Sequence, residues 1–233
     1  MSTSNKAVDT TAGSSLRHPG DDARLPPDIG PGSTDVVVPM PGGGNGVNAS
    51  RLASASFSPV TDGGSNPSVQ NLLWGYKWGG TVMGQPVTLS YSLATVSSVY
   101  NYPDNSNDAG GSRLPLNALQ ASAVVSTLAA YSAVARLSFN ALTDNALQAG
   151  DLRYGNTDSP VVGTAYAYLP YYEALGGDVW FGDVFDYQNP VVGDYGYATF
   201  LHETGHALGL THPHDADVAA VPGEDQLKYS VMS

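Results

Sequence analysis

The sequence contains no cysteine in 233 residues. Disulfides, zinc–thiolate sites, thiol nucleophiles and a cysteine-based latency switch are therefore excluded. Charge is scarce as well. Only 13% of residues are Asp, Glu, Lys or Arg, and the net charge of −12, with a pI near 4.4, is strongly acidic. That balance argues against nucleic acid or an anionic membrane surface as partner. No apolar run approaches the roughly 18–20 residues of a membrane span, so membrane insertion is not expected. The first 15 residues are polar and lack the apolar core of a signal peptide. The expectation is either a cytoplasmic protein or one exported by a route that reads no N-terminal signal.

What is present is a loop-rich chain with 27 Gly, 16 Pro and 42% hydrophobic residues, enough for one core plus tails. Residues 1–66 are rich in Ser, Gly, Pro and Asp and read as a flexible tail or pro-segment. Asp35-Val36-Val37-Val38 is a short extended patch within that tail. Residues 67–233 read as the folded domain. An apolar segment with Leu72, Leu73, Trp74 and Trp78 precedes a strand at Val87–Leu93, where Val87, Leu89, Tyr91 and Leu93 share one face. A Gly/Asn/Asp loop covers 101–112. A long helix is expected over Leu116–Val134, with Leu116, Leu119, Ala123, Leu128 and Tyr131 as its core stripe. Strands follow at 136–142, 151–155, 163–169 and 178–181, then a second long helix at Tyr197–Leu210. This order fits an α/β or α+β layer, a twisted mixed sheet with two long helices packed behind it.

The run His202-Glu203-Thr204-Gly205-His206-Ala207-Leu208-Gly209-Leu210-Thr211-His212 carries the chemistry. His202 and His206 are four apart, so on a helix both imidazoles face one point. Glu203 sits beside them, where a general base for a metal-bound water is needed. A third ligand on the same straight helix would point away. Gly209 can take the left-handed conformation and end the helix, and Pro213 keeps it from resuming. The chain can then bring His212 back to the same ion. A catalytic zinc site takes three such nitrogen ligands and leaves one position open for water. Residue frequencies give roughly 0.001 chance occurrences of His-Glu-x-x-His in a chain of this composition. Coincidence is thereby set aside. His214 reads as a solvated loop histidine, with an alternative ligand or an outer-shell group as the other readings. His18, in the tail, reads as a bystander.

These residues resemble the long zinc motif of the metzincin metalloproteases. Ser230-Val231-Met232-Ser233 looks like the methionine turn of that clan, with Met232 as the apolar floor beneath the histidines. Pro213, the stretch Gly163-Thr164-Ala165-Tyr166-Ala167-Tyr168, the lead-in Gly196-Tyr197-Ala198-Thr199-Phe200 and the missing cysteines are similar to the serralysin-type bacterial enzymes. The resemblance covers about 69–233 and implies a metzincin-like α+β protease domain. It also implies secretion to the extracellular space without an N-terminal signal, and protein or peptide substrates. In that fold the active-site helix lies below an edge strand. The resemblance suggests Asp178, Val179, Trp180 and Phe181 as that strand, available to pair with an extended substrate; an ordinary buried strand is the other reading.

Three features depart from the serralysin pattern. The position two residues beyond Met232, where those enzymes carry a further tyrosine ligand, is absent. Their glycine-rich Ca2+-binding repeats are absent too, so calcium is expected only in a C-terminal domain beyond this chain. His214 stands where glycine is usual. The stop at Ser233 reads as a truncation, with a further domain or a second chain completing the fold.

The expected function is a Zn2+-dependent endopeptidase. Zinc held by His202, His206 and His212 would activate water, and Glu203 would serve as base and then acid. The alternative is a catalytically silent zinc- or peptide-binding fragment. Arg17-His18-Pro19-Gly20-Asp21-Asp22 is a candidate plug for the open zinc position, against a solvated linker.

Overall fold

The computed structural model describes residues 55–61, 63–100, 112–158, 164–170, 175–214 and 221–233. His18, the segment 17–22, Asp35–Val38 and the loop 101–111 lie outside the described residues. The elements run in the order β1 (Phe57–Pro59), α1 (Pro67–Gln70), β2 (Tyr76–Trp78), β3 (Val87–Leu93), β4 (Arg113–Leu114), α2 (Ala118–Val134), β5 (Leu137–Thr143), β6 (Leu152–Thr157), β7 (Ala165–Ala167), β8 (Asp178–Phe181) and α3 (Tyr195–Leu208). The mixed α/β layer expected from the sequence is what forms.

The main sheet has the order β5-β3-β6-β8-β7, and β4 pairs with β6. The first four strands of that path run parallel and β7 runs antiparallel to β8. The strand expected at Asp178–Phe181 forms with those bounds, but it is not the sheet edge. β8 is flanked by β6 on one side and β7 on the other, and all four of its residues are buried. Among the described residues the edge on that side belongs to β7. Alternation and flanking glycines reveal a strand, but they do not reveal how many of its sides are paired.

Both long helices lie on one face of the sheet. Leu89, Leu152, Tyr154, Ala165, Ala167, Val179 and Phe181 from the strands pack with Ala123, Val124 and Leu128 of α2 and Phe200 and Ala207 of α3. Phe181 and Phe200 stack with ring centroids 3.9 Å apart. Burying each such side chain contributes about 1.5–3 kcal/mol. The helix starts are capped as their sequences dictate. The side chain of Asn117 accepts from the N–H groups of Leu119 and Gln120, and Gln120 returns a bond to the Asn117 N–H. Asp194 accepts from the Tyr197 N–H at 2.7 Å.

The buried stripe of α2 is Gln120, Ala123, Val124, Thr127 and Leu128, whereas Leu119 is exposed. The expected stripe was turned by one residue at its start. The cause is Gln120, a polar residue made burial-competent by its amide bonds to Asn156.

The opposite face of the sheet carries a buried ionic cluster. Arg153 bonds Asp144 through Nε and Nη2, both at 2.9 Å, and its Nη1 lies 3.9 Å from Asp178. Ser92 donates to the same Asp144. Tyr166, Tyr168, Leu175 and Trp180 complete the packing there. The chain also joins the fold earlier than residue 67. β1 pairs antiparallel with β2, and the Ala55 N–H donates to Asp151 at 2.7 Å. Among the described residues no helix is long and apolar enough to cross a membrane.

Candidate metal centre

Helix α3 positions the first two histidines. His202 and His206 are one turn apart, and their Nε2 atoms lie 3.0 Å from each other. Helix α3 ends where the glycine argument places the break. Gly209 is its C-cap at φ 109°, ψ 19°. The N–H of Leu210 reaches back to Gly205 O at 2.9 Å, closing the left-handed turn. The returning chain is then held by a segment the motif does not contain. Thr211 N–H donates to Leu72 O, Trp74 N–H donates to Gly209 O, and Leu73 bridges Leu210. Trp78 Nε1 donates to Ala207 O from below α3. With the turn pinned, His212 Nε2 comes within 3.1 Å of His202 Nε2 and 3.3 Å of His206 Nε2.

The protons of these rings can be placed from their partners. His202 Nδ1 is 2.7 Å from Val231 O, and His206 Nδ1 is 2.8 Å from Leu210 O. A carbonyl has no proton to give, so both rings carry theirs on Nδ1. Their Nε2 lone pairs are left bare and directed at one another. Two bare nitrogens at 3.0 Å repel unless a cation lies between them. Burial, together with the neighbouring His202 and His212, holds the His206 pKa well below its ordinary value. His206 is thus kept neutral, the form a metal ligand needs.

The triad's spacing fits a transition-metal ion. Zn–N bonds of about 2.0–2.1 Å in tetrahedral geometry put ligand nitrogens about 3.3 Å apart. Among the described residues, His202, His206 and His212 are the group of His, Asp or Glu side chains close enough to share one ion. His214 is not in that group. Its ring stacks face to face on His212, 5.0 Å between centroids and 3° between planes, and its Nδ1 bonds Asp225. The His214 side chain stays largely exposed while making these contacts.

Gly205, between His202 and His206 on α3, is where another part of the chain comes close. Met232 is fully buried. A Cβ placed on Gly205 would sit 2.5 Å from Met232 Sδ and 2.8 Å from Tyr131 Oη. A glycine in mid-helix costs about 1 kcal/mol of helix propensity; here it is what lets the methionine and tyrosine approach. Tyr131, whose pKa burial raises, donates to Leu201 O at 2.9 Å and ties α2 to α3. Thr204 lies 3.3 Å from the hydroxyl of Tyr154 in β6. Glu203 is fully buried beside His202. Asp178 and Trp180 point away from the triad into the opposite face, while Val179 and Phe181 lie in the core beneath the helices.

No protein-family model matches the chain. Individual relatives do. It is 34% identical over 209 residues to serralysin of Proteus mirabilis, a match covering 80% of this chain and 40% of that protein. The chain belongs to the serralysin-type metzincins. It is also 30% identical over 210 residues to serralysin C of Dickeya chrysanthemi, covering 82% of this chain and 40% of the relative. Serralysin A of the same organism gives 30% over 205 residues, with 82% and 39% coverage. The chain spans about 40% of the length of the curated relatives it matches. The mixed sheet, the two long helices and the histidine cluster are the parts of a serralysin-type protease domain found within that span.

Proposed function

We propose that this chain is the catalytic part of a zinc metalloendopeptidase that works outside the cell on extended protein substrates. The observation that carries the proposal is the convergence of three imidazole Nε2 atoms within 3.0–3.3 Å. In two of the three rings the Nδ1–H donates to a backbone carbonyl, which leaves Nε2 as the free lone pair. His202, His206 and His212 would hold the ion. Bound zinc supplies Lewis acidity, which lowers the pKa of a water at the open position and polarises a peptide carbonyl.

The remaining chemistry falls to the chain's own side chains. Glu203 follows His202 on α3, so its carboxylate takes the proton from the attacking water and delivers it to the departing amine nitrogen. Its burial excludes bulk water, which would otherwise compete for that proton. Val231 O and Leu210 O fix the ring planes of His202 and His206. Met232 and Gly205 give the site a dry floor. An extended peptide would pair with β7, Ala165–Ala167, the outermost strand on that side among the described residues, since both sides of β8 are taken.

The test is Glu203→Gln in the zinc-loaded protein. Zinc content stays stoichiometric, while cleavage of casein falls by about 10²–10⁴. Full turnover in that variant would remove Glu203 from the mechanism. The competing reading is a silent zinc- or peptide-binding module, which predicts no chelator-sensitive cleavage from the unaltered chain.

A further inference from the structure

The connection between β8 and α3 exposes a run of apolar side chains. Val184, Phe185, Val191, Val192 and Tyr195 are 41–75% exposed. A linker is ordinarily polar, and branched apolar residues are poor choices for a turn. Val191 and Val192 nevertheless stand at one. The Asp194 N–H donates to Val191 O at 2.9 Å, the Val191 N–H donates to Asp194 Oδ2 at 2.9 Å, and Gly193 has φ 97°. The turn is fixed, and it holds two valines in solvent. The rest of the stretch is fixed as well. The Phe185 and Tyr195 rings lie 5.5 Å apart, and they approach the Tyr187 ring at 6.2 and 6.4 Å. Tyr187 is fully buried, and its ring meets Phe181, which stacks on Phe200 of α3. Asn117, at the start of α2, donates to Gln188 O at 2.8 Å. Apolar groups held in solvent by a buried anchor form a surface prepared for contact.

Two connections join this surface to the metal centre. Tyr187 Oη hydrogen-bonds Thr164 Oγ1, and the Gly182 N–H donates to Thr164 O at 2.6 Å. Thr164 immediately precedes β7, the strand proposed to pair with substrate. On α3, Tyr195 precedes His202 by seven residues, or two turns, so the two side chains leave the same side of the helix. The rise between them is about 10 Å, the length of about three residues of extended peptide. Charge then selects the kind of residue that fits. Asp183, Asp186 and Asp194 are exposed around the apolar groups. No Lys or Arg occurs between residues 154 and 227. An apolar side chain beside a cation is complementary to such a surface, and an acidic segment is repelled by it.

We propose that segment 183–195 is a second substrate contact, which takes an apolar or aromatic side chain next to a Lys or Arg about three or more residues from the scissile bond. The proposal rests on the endopeptidase reading and on substrate pairing with β7, and it adds a selectivity that backbone pairing alone does not supply.

The experiment gives the zinc-loaded full chain fluorogenic peptides that share one cleavable core. One extension carries Leu-Lys-Phe-Lys and the other Ser-Glu-Ser-Glu, each placed in turn before and after the core. In one placement the apolar, basic extension lowers KM by about tenfold relative to the acidic one, with kcat little changed. High salt removes the part that depends on Lys. In the double variant Val191→Ser with Val192→Ser, and separately in Phe185→Ser, the ratio between the two peptides falls toward one. Asp183→Asn lowers only the salt-sensitive part. The valines are exposed, so the double variant keeps the metal-free melting temperature of the unaltered chain. The same peptides, labelled and titrated into zinc-loaded Glu203→Gln, give the same ratio by fluorescence anisotropy.

The proposal is overturned if the two extensions give equal KM in both placements, or if the preference survives in the double valine variant and in Phe185→Ser. It is overturned equally if sedimentation shows the patch buried in a dimer of this chain that the peptides do not disturb. Absence of cleavage of every peptide by the unaltered chain would refute the endopeptidase reading instead, and the anisotropy ratio would then decide the patch by itself.

Discussion

Replacing Gly205 by Ala is an informative perturbation because ordinary helix physics predicts the opposite sign. In an exposed helix interior the change would stabilise by about 1 kcal/mol. Here the new Cβ would sit 2.5 Å from Met232 Sδ and 2.8 Å from Tyr131 Oη, both inside van der Waals contact. Met232 is fully buried and Tyr131 is tied to Leu201 O, so neither has an easy retreat. Overpacking of this kind costs about 1–3 kcal/mol. Losing the Tyr131 bond adds about 1 kcal/mol. After the propensity gain is subtracted, the net destabilisation is about 1–3 kcal/mol. For a chain of this size that lowers the melting temperature by about 2–12 °C. The segment that carries Met232 also carries Val231 O, which holds His202, so displacing it weakens metal binding as well. Calorimetry and chelator competition on Gly205→Ala test both effects. A double variant with Met232→Ala should recover part of the loss, because half of the clash is gone. A rise in melting temperature with unchanged metal affinity would refute the packing argument.

Two further predictions come from the same geometry. Gly209→Ala forces a side chain onto a residue at φ 109°, with its Cβ 2.9 Å from Tyr76 O. Strain of about 1–3 kcal/mol is expected, together with looser metal binding as His212 shifts, read by chelator competition. The pH dependence follows from His206, whose pKa is lowered by burial and by His202 and His212. Below about pH 6.5 the unfolded chain takes up a proton at this residue that the folded chain refuses. Stability of the metal-free protein therefore falls as pH drops, by about 1.4 kcal/mol per unit for one such group, until the folded-state pKa is reached. Urea denaturation between pH 7 and 5 measures the slope, and a flat profile would contradict it.

The sequence carried the site further than it carried the sheet. Ligand spacing, the glycine break and the proline stop are local, so the convergence of His202, His206 and His212 across the Gly209 turn was legible, while the Leu72–Trp74 segment that holds the turn was not. The strand at Val87–Leu93 was legible for the same reason, since alternation is a local pattern. Strand order is not local: neither Ala165–Ala167 nor Asp178–Phe181 says in its own sequence how many of its sides are paired, and only pairing makes the first the edge. The helix stripe missed Gln120 because its burial depends on Asn156, far along the chain. Gly205 was in plain view within the motif, and a glycine in mid-helix is itself a sign of close approach. What approaches it, Met232 and Tyr131, comes from two other parts of the chain.

The central claim is that His202, His206 and His212 together hold one zinc ion. X-ray absorption at the zinc edge, on protein loaded and then freed of excess metal, tests it most directly. The account predicts one zinc per chain with three nitrogen neighbours at about 2.0–2.1 Å and an open position filled by oxygen. Each of His202→Ala, His206→Ala and His212→Ala should lose that signal. A stoichiometric zinc that survives in all three variants, or no zinc in the unaltered chain, would contradict it.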